Sequence, residues 1–199
     1  MKKNPKKTAQ TKAALKTAFW ELYQNTPITK ITVQDITRLA GFNRSTFYQY
    51  FTDVYSVLIE IEDSILRDWE SVFVENVASF TDRKNTESME KTIETIVAFY
   101  ERNGNYLSVL LSPEGDSLFV QKIKSIIRIK VFSQLPIDST NAEASLAFEF
   151  ASSGMLAFLT EWYRNARHIP PKDAVELIYS LLGNNPLGVM LRNSDIERI

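Results

Sequence analysis

Apolar residues recur at helical spacing along almost the whole 199-residue chain. In the first clear stretch they fall at i, i+3, i+4, i+7 and i+8, on one face of an amphipathic helix: Leu15, Ala18, Phe19, Leu22 and Tyr23. No long run alternates β-branched and polar residues, and only 6 glycines and 7 prolines interrupt the helical pattern. The sequence therefore predicts an all-α fold. A chain of this length can bury about 70% of its unfolded surface without help from a disulfide or a metal.

Helix caps and helix breakers divide the first part of this pattern into short elements. Thr32, followed three residues later by Asp35, matches the capping box that starts a helix. The apolar residues behind it predict the inner face of a short helix: Val33, Ile36, Leu39 and Ala40. Gly41 predicts the end of that helix, and Asn43 predicts the N-cap of a second helix that continues through Phe51.

Longer helices are predicted for the rest of the chain. The apolar positions give a helix after Asp53 that carries Val54, Val57, Leu58, Ile61, Ile65 and Trp69. Further helices are expected over residues 86–103, ended by Gly104, and over residues 116–134, ended by Pro136. A long helix is expected from Ser139 to His168, with Arg164, Arg167 and His168 in its last turn, where cations interact favourably with the helix dipole. Pro171 predicts the start of a last helix through Ile178 and Leu182.

The net charge of −1 conceals a strong asymmetry between the two ends of the chain. Residues 1–50 carry nine Lys or Arg and two acidic residues, a net charge of +7, whereas residues 51–199 carry a net charge of −8. Such a division favours a basic segment that faces a polyanion and an acidic body that does not. A lysine-rich N-terminus that only aids solubility would give the same count.

Several function classes are excluded by composition or lack a recognisable site. With no cysteine, the chain can form no disulfide, thiolate zinc site, iron–sulfur cluster or catalytic thiol, and His168 is its only histidine. Paired carboxylates such as Glu60 with Asp63, or Asp68 with Glu70, fall on predicted helix surfaces, where solvation is their usual role. We therefore expect no enzyme activity, no cofactor and no metal. The charged start and the lack of an apolar run of about 18 residues predict a cytoplasmic protein with no membrane contact.

The helices Thr32–Ala40 and Asn43–Phe51, separated by a turn that contains Gly41, have the spacing of a helix-turn-helix. The second helix is two-faced, because Phe47 and Phe51 can anchor it to a core while polar side chains face outwards: Arg44, Ser45, Thr46, Tyr48, Gln49 and Tyr50. An ordinary helical hairpin would show the same spacing. The net charge of +7 around it favours DNA as the target.

Two segments, Thr32–Ile36 and Ala40–Phe51, resemble the N-terminal domain of TetR/AcrR-type transcriptional regulators, and the resemblance extends over about residues 10–62. Residues 154–159, 162–163 and 170–172 are similar to the C-terminal domain of the DhaS-like branch. The resemblance implies a DNA-binding domain over residues 1–52 and a helical regulatory and dimerisation domain over residues 53–199. Val54 stands where many relatives have a lysine, so phosphate contacts would depend more on Lys2, Lys3, Lys6, Lys7 and Lys12.

The same resemblance implies a role for each polar residue of the helix-turn-helix. Thr32 and the amide of Val33 would hold a phosphate at a helix N-terminus, and Gln34 would reach a phosphate or a base edge. Arg44 would contact guanine and Gln49 adenine, each through two hydrogen bonds. Ser45 and Thr46 would bind phosphate or pack on a thymine methyl group, and the Tyr48 and Tyr50 hydroxyls would donate to phosphates.

We therefore expect a dimeric repressor that binds double-stranded DNA at a palindromic operator and is released by a small-molecule effector. The alternative is an activator or interaction protein whose C-terminal domain binds a protein partner. Dimerisation is predicted through the last two long helices, on an apolar band that comprises Ala151, Gly154, Phe158, Trp162 and, from the final helix, Ile178. This band could instead pack within its own subunit. The sequence identifies no effector site; Tyr100 and Tyr163 are among the aromatic candidates, but core packing explains most of them.

Overall fold

The computed structural model describes residues 5–76, 86–112, 115–135, 137–138 and 140–183. Over these residues the chain forms eight α-helices, a short 3₁₀ helix at Ile28–Lys30 and no strand, which confirms the predicted all-α fold. The α-helices are α1 (Pro5–Tyr23), α2 (Val33–Ala40), α3 (Arg44–Phe47), α4 (Val54–Asn76), α5 (Thr86–Leu110), α6 (Ser117–Gln134), α7 (Ala142–Asn165) and α8 (Pro171–Gly183).

Contacts divide the chain into two compact units, Met1–Ile65 and Leu66–Ile199. This division assigns the first part of α4 to the N-terminal unit and the rest of α4 to the C-terminal unit. A division by contacts does not say which residues fold or act independently. The predicted domain boundary between residues 52 and 53 therefore stays a prediction.

The N-terminal unit has an apolar core to which each of its helices contributes. α1 packs on α2, and α2 packs on α3. The fully buried apolar side chains are Leu15 and Phe19 of α1, Ile36 of α2, Phe47 of α3 and Val57 of α4. Full burial of each such side chain contributes about 1.5–3 kcal/mol, and together these contributions help to offset the cost of ordering short helices that would be marginal alone.

The predicted caps of α2 are confirmed at both ends. The Asp35 amide donates to the Thr32 hydroxyl, and the Thr32 amide donates to the Asp35 carboxylate, each over 3.2 Å. The hydrogen bonds from Thr32 lower the pKa of Asp35, so this cap is retained at neutral pH and lost only as the pH falls through that lowered value. At the other end Gly41 adopts a left-handed backbone with φ of 73°.

One position of the predicted inner face of α2 is wrong. The buried side of this helix contains Ile36 and Thr37, whereas Leu39 is 48% exposed. Thr37 can be buried because its hydroxyl donates to the carbonyl of Val33 over 2.9 Å. At 3.6 residues per turn, a residue six positions after Val33 points about a third of a turn away from it. Leu39 therefore lies off the face formed by the i, i+3 and i+4 positions.

Gly41 carries the first testable consequence of this architecture. A Cβ at this position would meet no atom within 4 Å, so a larger side chain costs only the strain of the left-handed backbone. We expect Gly41→Ala to lower the free energy of unfolding by about 1–2 kcal/mol and Gly41→Asn to lower it by less, because Asn tolerates this conformation. Urea unfolding followed by circular dichroism measures both; an alanine variant as stable as the asparagine variant would contradict the assignment.

The C-terminal unit has its own core, built from the end of α4 and from α5 to α8. α5 packs on α7 and α8, and α7 also packs on α6 and α8. An aromatic chain runs through this core: the ring centroids of Trp69 and Phe99 lie 5.0 Å apart, and those of Tyr100 and Trp162 lie 6.3 Å apart. The predicted apolar face of α4 is buried along its length, from Val54 to Trp69.

Several predicted boundaries in this unit are wrong, and others are confirmed. α5 continues through Gly104 to Leu110, because the burial of Leu107 and Leu110 outweighs the low helix propensity of one glycine. α7 ends at Asn165, so Arg164 lies in its last turn but Arg167 and His168 lie beyond it. α6 and the start of α8 at Pro171 agree with the prediction. Pro136 and Ser139 lie outside the described residues.

Candidate nucleic-acid interface

The turn between α2 and α3 is held by one polar side chain. Asn43 is the N-cap of α3, as predicted, and its carboxamide oxygen accepts hydrogen bonds from the Thr46 amide, the Thr46 hydroxyl and the Ser45 hydroxyl over 2.8, 2.8 and 2.7 Å. These bonds fix the direction in which α3 leaves the turn. They also engage the Ser45 and Thr46 hydroxyls, so either hydroxyl would have to exchange this hydrogen bond in order to donate to a phosphate.

The second helix of the motif is shorter than predicted. α3 ends at Phe47, and the chain then continues in tighter turns, with the Gln49 amide donating to Thr46 and the Tyr50 amide to Phe47. Phe47 and Phe51 are both buried, as the two-faced pattern predicts. Their rings lie 5.6 Å apart and anchor this short segment to the core.

Most of the predicted DNA-reading residues lie at the surface of the same unit. Six are exposed: Thr32, Gln34, Arg44, Ser45, Tyr48 and Gln49. Val33, Thr46 and Tyr50 are half-buried. The Thr32 hydroxyl donates to the Asp35 carboxylate over 2.6 Å, so a phosphate at this helix end would have to replace that carboxylate.

Two of these residues, ten positions apart in the chain, contact each other. The Arg44 guanidinium donates to the side-chain oxygen of Gln34 over 2.7 Å, which ties the start of α3 to the start of α2. A long arginine side chain loses rotamer freedom when it binds, so an arginine already held in place loses less of it in the complex. Sequence periodicity gave no sign of this contact, because the intervening turn sets the distance between the two side chains.

Gln34 therefore acts as a positioning residue for Arg44 if Arg44 reads a base. We expect Gln34→Ala to weaken specific DNA binding about two- to tenfold. In an Arg44→Ala background the same substitution should have no further effect, since the contact is already lost. A double-mutant cycle on operator affinity measures this coupling, with the exposed Gln24→Ala as a control; independent effects of Gln34 and Arg44 would contradict the positioning role.

The basic residues of the N-terminal unit are not equally available to an anion. Lys12 and Lys16 of α1 form ion pairs with Glu60 of α4, at 2.5 and 3.6 Å. Lys12 also lies 5.6 Å from the centre of the Phe51 ring. Lys12 is thus a structural cation between helices, whereas Lys7 and Lys30 are exposed. Lys2 and Lys3 lie outside the described residues.

Comparison with known proteins identifies the C-terminal part of the chain. Residues 87–184 match the family model TetR_C_8, described as a transcriptional regulator C-terminal region. The chain belongs to the TetR family of transcriptional regulators. No curated protein matches its sequence.

Solved structures agree with the fold of this TetR-family regulator. A TetR transcriptional regulator from Streptococcus agalactiae 2603V is 22% identical, with a TM-score of 0.62, over 89% of this chain and 96% of that one. The fatty acid degradation regulator FadR from Bacillus halodurans is 15% identical, with a TM-score of 0.57, over 93% and 98% of the two chains. At these identities the likeness extends to the all-α fold alone.

The residues of the predicted dimerisation band of this TetR-family regulator differ in how far they are buried within the chain. Trp162 and Ile178 are buried within the chain itself, and the Trp162 indole donates to the carbonyl of Ile169 over 3.0 Å. Ala151 and Phe158 are half-buried, and Gly154 is exposed, with no atom within 4 Å of the position of a Cβ.

A neighbouring face of the last two long helices is apolar and exposed. On α7, Leu146 and Phe150 are 71% and 74% exposed, and Gly154 follows Phe150 by four residues. On α8, Leu177 and Leu181 are 45% and 58% exposed, again four residues apart. We call these residues of the two helices, five in all, the α7–α8 face.

Among the described residues of the regulator, no helix combines the length and apolar character needed to cross a membrane.

Proposed function

We propose that this TetR-family regulator is a dimeric repressor that binds a palindromic operator and leaves it when a small-molecule effector binds. The observation that carries the proposal is the geometry of α2, Gly41 and α3, which presents Arg44 and Gln49 at the surface on a helix anchored by buried Phe47. Arginine and glutamine are the side chains best suited to bidentate contact with guanine and adenine in the major groove.

The α7–α8 face supports a homodimer. Exposed leucine and phenylalanine side chains at helical spacing on two adjacent helices are unusual on the surface of a monomer and typical of a protein interface. Two helices from each subunit would form a four-helix bundle around a two-fold axis. A single helix-turn-helix reads only a few base pairs, so two copies are needed for a useful specificity within a genome.

Lack of catalytic activity is part of the proposal, and the contacts of the candidate carboxylates support it. Asp68 accepts hydrogen bonds from Arg102 at 3.2 Å and from Asn103 at 2.7 Å, and Glu70 pairs with Lys130 at 2.7 Å. Glu60 is occupied by Lys12 and Lys16. These ion pairs and hydrogen bonds explain the carboxylates as links between helices.

A repressor acts on the chromosome, so we place the protein in the cytoplasm.

Transcription in vitro tests the sign of the regulation. The bound DNA sequence, selected with the purified protein, is placed across a promoter and transcribed with and without the regulator. We expect the transcript to fall as the protein occupies its site, and the Arg44→Ala protein to lose this effect at the same concentration. An increase in transcript would show an activator and overturn the repressor assignment.

A further inference from the structure

The hydroxyl of Tyr163, near the C-terminal end of α7, is buried without a hydrogen bond. Only 7% of this residue is exposed, and its hydroxyl meets no donor or acceptor in the described part of the chain. The ring itself is well packed: its centroid lies 4.8 Å from that of Trp162, and the Arg167 guanidinium lies 5.6 Å from the ring centre. Buried polar atoms in folded proteins are nearly always paired, so this one calls for a cause.

Gly104 lies opposite this hydroxyl, in the interior of α5. A Cβ at this position would be 3.8 Å from the Tyr163 oxygen and 3.9 Å from the Arg167 Nη2 atom. Both distances are ordinary van der Waals contacts, and the backbone of Gly104 is not left-handed. Alanine would therefore fit and would be a better helix former. Neither crowding nor backbone conformation therefore explains the glycine. Its missing side chain leaves unfilled the space beside the Tyr163 hydroxyl and the Arg167 guanidinium.

The two groups around this point suit a carboxylate. Burial raises the pKa of Tyr163, an effect that Arg167 partly opposes, so the hydroxyl stays protonated and can donate. The planar guanidinium of Arg167 matches the geometry of a carboxylate, to which it can donate two parallel hydrogen bonds. The surroundings of Tyr163 are aromatic, because the Trp162 ring lies 4.8 Å from the Tyr163 ring and 6.3 Å from the Tyr100 ring, centroid to centroid. These rings offer apolar contacts to the body of a ligand.

We propose that Gly104, Tyr163 and Arg167 form the carboxylate-binding end of the effector site, and that the effector is a small organic acid with an apolar body. The identification of this ligand as the effector rests on the proposed release from the operator. The binding of the acid to the protein does not, since it can be measured without DNA.

Thermal unfolding of the purified full-length protein tests the site. The probes are sodium benzoate and sodium octanoate, compared with sodium chloride and inorganic phosphate at equal ionic strength. We expect at least one organic acid to raise Tm by about 3–5 °C at a concentration ten times its Kd. Neither phosphate nor chloride should do so. Failure of both acids, or an equal shift with phosphate, would overturn the proposal.

Three substitutions and a control assign the shift to these residues. Tyr163→Phe, Gly104→Ala and Arg167→Gln should each abolish it, while Arg164→Gln, which changes an exposed arginine one turn earlier, should preserve it. Without acid, Tyr163→Phe should unfold at the same temperature as the wild type or higher, because it removes only an unpaired hydroxyl. A clear fall in Tm, or a shift that survives Tyr163→Phe, would overturn the site.

Operator release is measured separately, by adding the same acid to the protein–DNA complex. Release by the acid in the wild type, but not in Arg167→Gln, is expected and supports both proposals. An acid that raises Tm through Tyr163 and Arg167 without releasing DNA would contradict the effector role and the proposed mode of release, while the acid-binding site itself would stand.

Discussion

Replacement of Leu146 and Phe150 by aspartate is expected to convert the regulator into a monomer that binds its operator more than about 100-fold more weakly. Both side chains lie on the α7–α8 face and are more than two thirds exposed in the single chain. In the proposed dimer each would be buried against the partner, where an unpaired carboxylate is strongly unfavourable. Sedimentation velocity at micromolar concentration gives the oligomeric state, and a fluorescence-anisotropy titration gives the operator affinity.

A matched pair on another helix controls for the loss of exposed apolar area. Leu118 and Ile129 of α6 are 59% and 64% exposed, and their replacement by aspartate should leave a dimer with normal operator binding. Trp162 and Ile178 are unsuitable for this test, because both are buried within the chain and their change would disturb its core. If the Leu146/Phe150 variant still sediments as a dimer, or both pairs dissociate it equally, the α7–α8 face is not the interface.

Arg44→Ala is expected to weaken specific operator binding by about 1–3 kcal/mol, or about 5- to 150-fold, and to relax the preference at one base pair of each half-site. The reason is the exposed place of Arg44 at the first position of α3, where its guanidinium is already oriented by Gln34. Binding titrations against operators changed at single positions measure both effects.

Arg38→Ala is the control for charge. Arg38 is an exposed arginine of α2 whose guanidinium pairs with Asp35 at 3.0 Å, so its loss removes one cation without touching α3. We expect any loss with this variant to be similar for all DNA sequences, since contacts to phosphates carry no sequence information. If Arg44→Ala also weakens binding equally for every operator variant, Arg44 does not read a base.

Local sequence signals predicted the helix-turn-helix well because its elements are fixed by neighbouring residues. The Thr32–Asp35 capping box, the left-handed Gly41 and the Asn43 cap each depend on side chains within three residues of a helix end. The contact between Gln34 and Arg44 depends instead on how the turn folds back, and no periodicity reports it.

Helix ends were harder to predict where tertiary packing opposes local propensity. Gly104 was predicted to end a helix, yet α5 continues past it because Leu107 and Leu110 are buried beyond it. The second helix of the motif was predicted to reach Phe51, but the α-helix ends at Phe47 and tighter turns complete the segment. At α5 the burial of residues beyond the glycine decides where the helix ends, whereas after α3 the turns are closed by hydrogen bonds between residues three positions apart.

The sequence pattern also did not determine which apolar face of α7 is exposed. This helix has apolar residues on more than one side, and the sequence pattern favoured the side that contains Trp162 as the dimer surface. In the structure Trp162 packs near Tyr100 of α5, and a different side, with Leu146 and Phe150, is exposed. Periodicity identifies an apolar face but not which neighbour covers it. The interface residues therefore remain a prediction, now centred on the α7–α8 face.

Selection of bound duplexes from a random DNA library, followed by the mass of the protein–DNA complex, tests the central claim most directly. Two copies of the α2–α3 motif related by a two-fold axis should select an inverted repeat whose half-sites lie about one helical turn or a multiple of it apart. The complex should contain an even number of chains, two per inverted repeat. An enriched site without symmetry that binds a single chain, or no enrichment at all, would contradict the account.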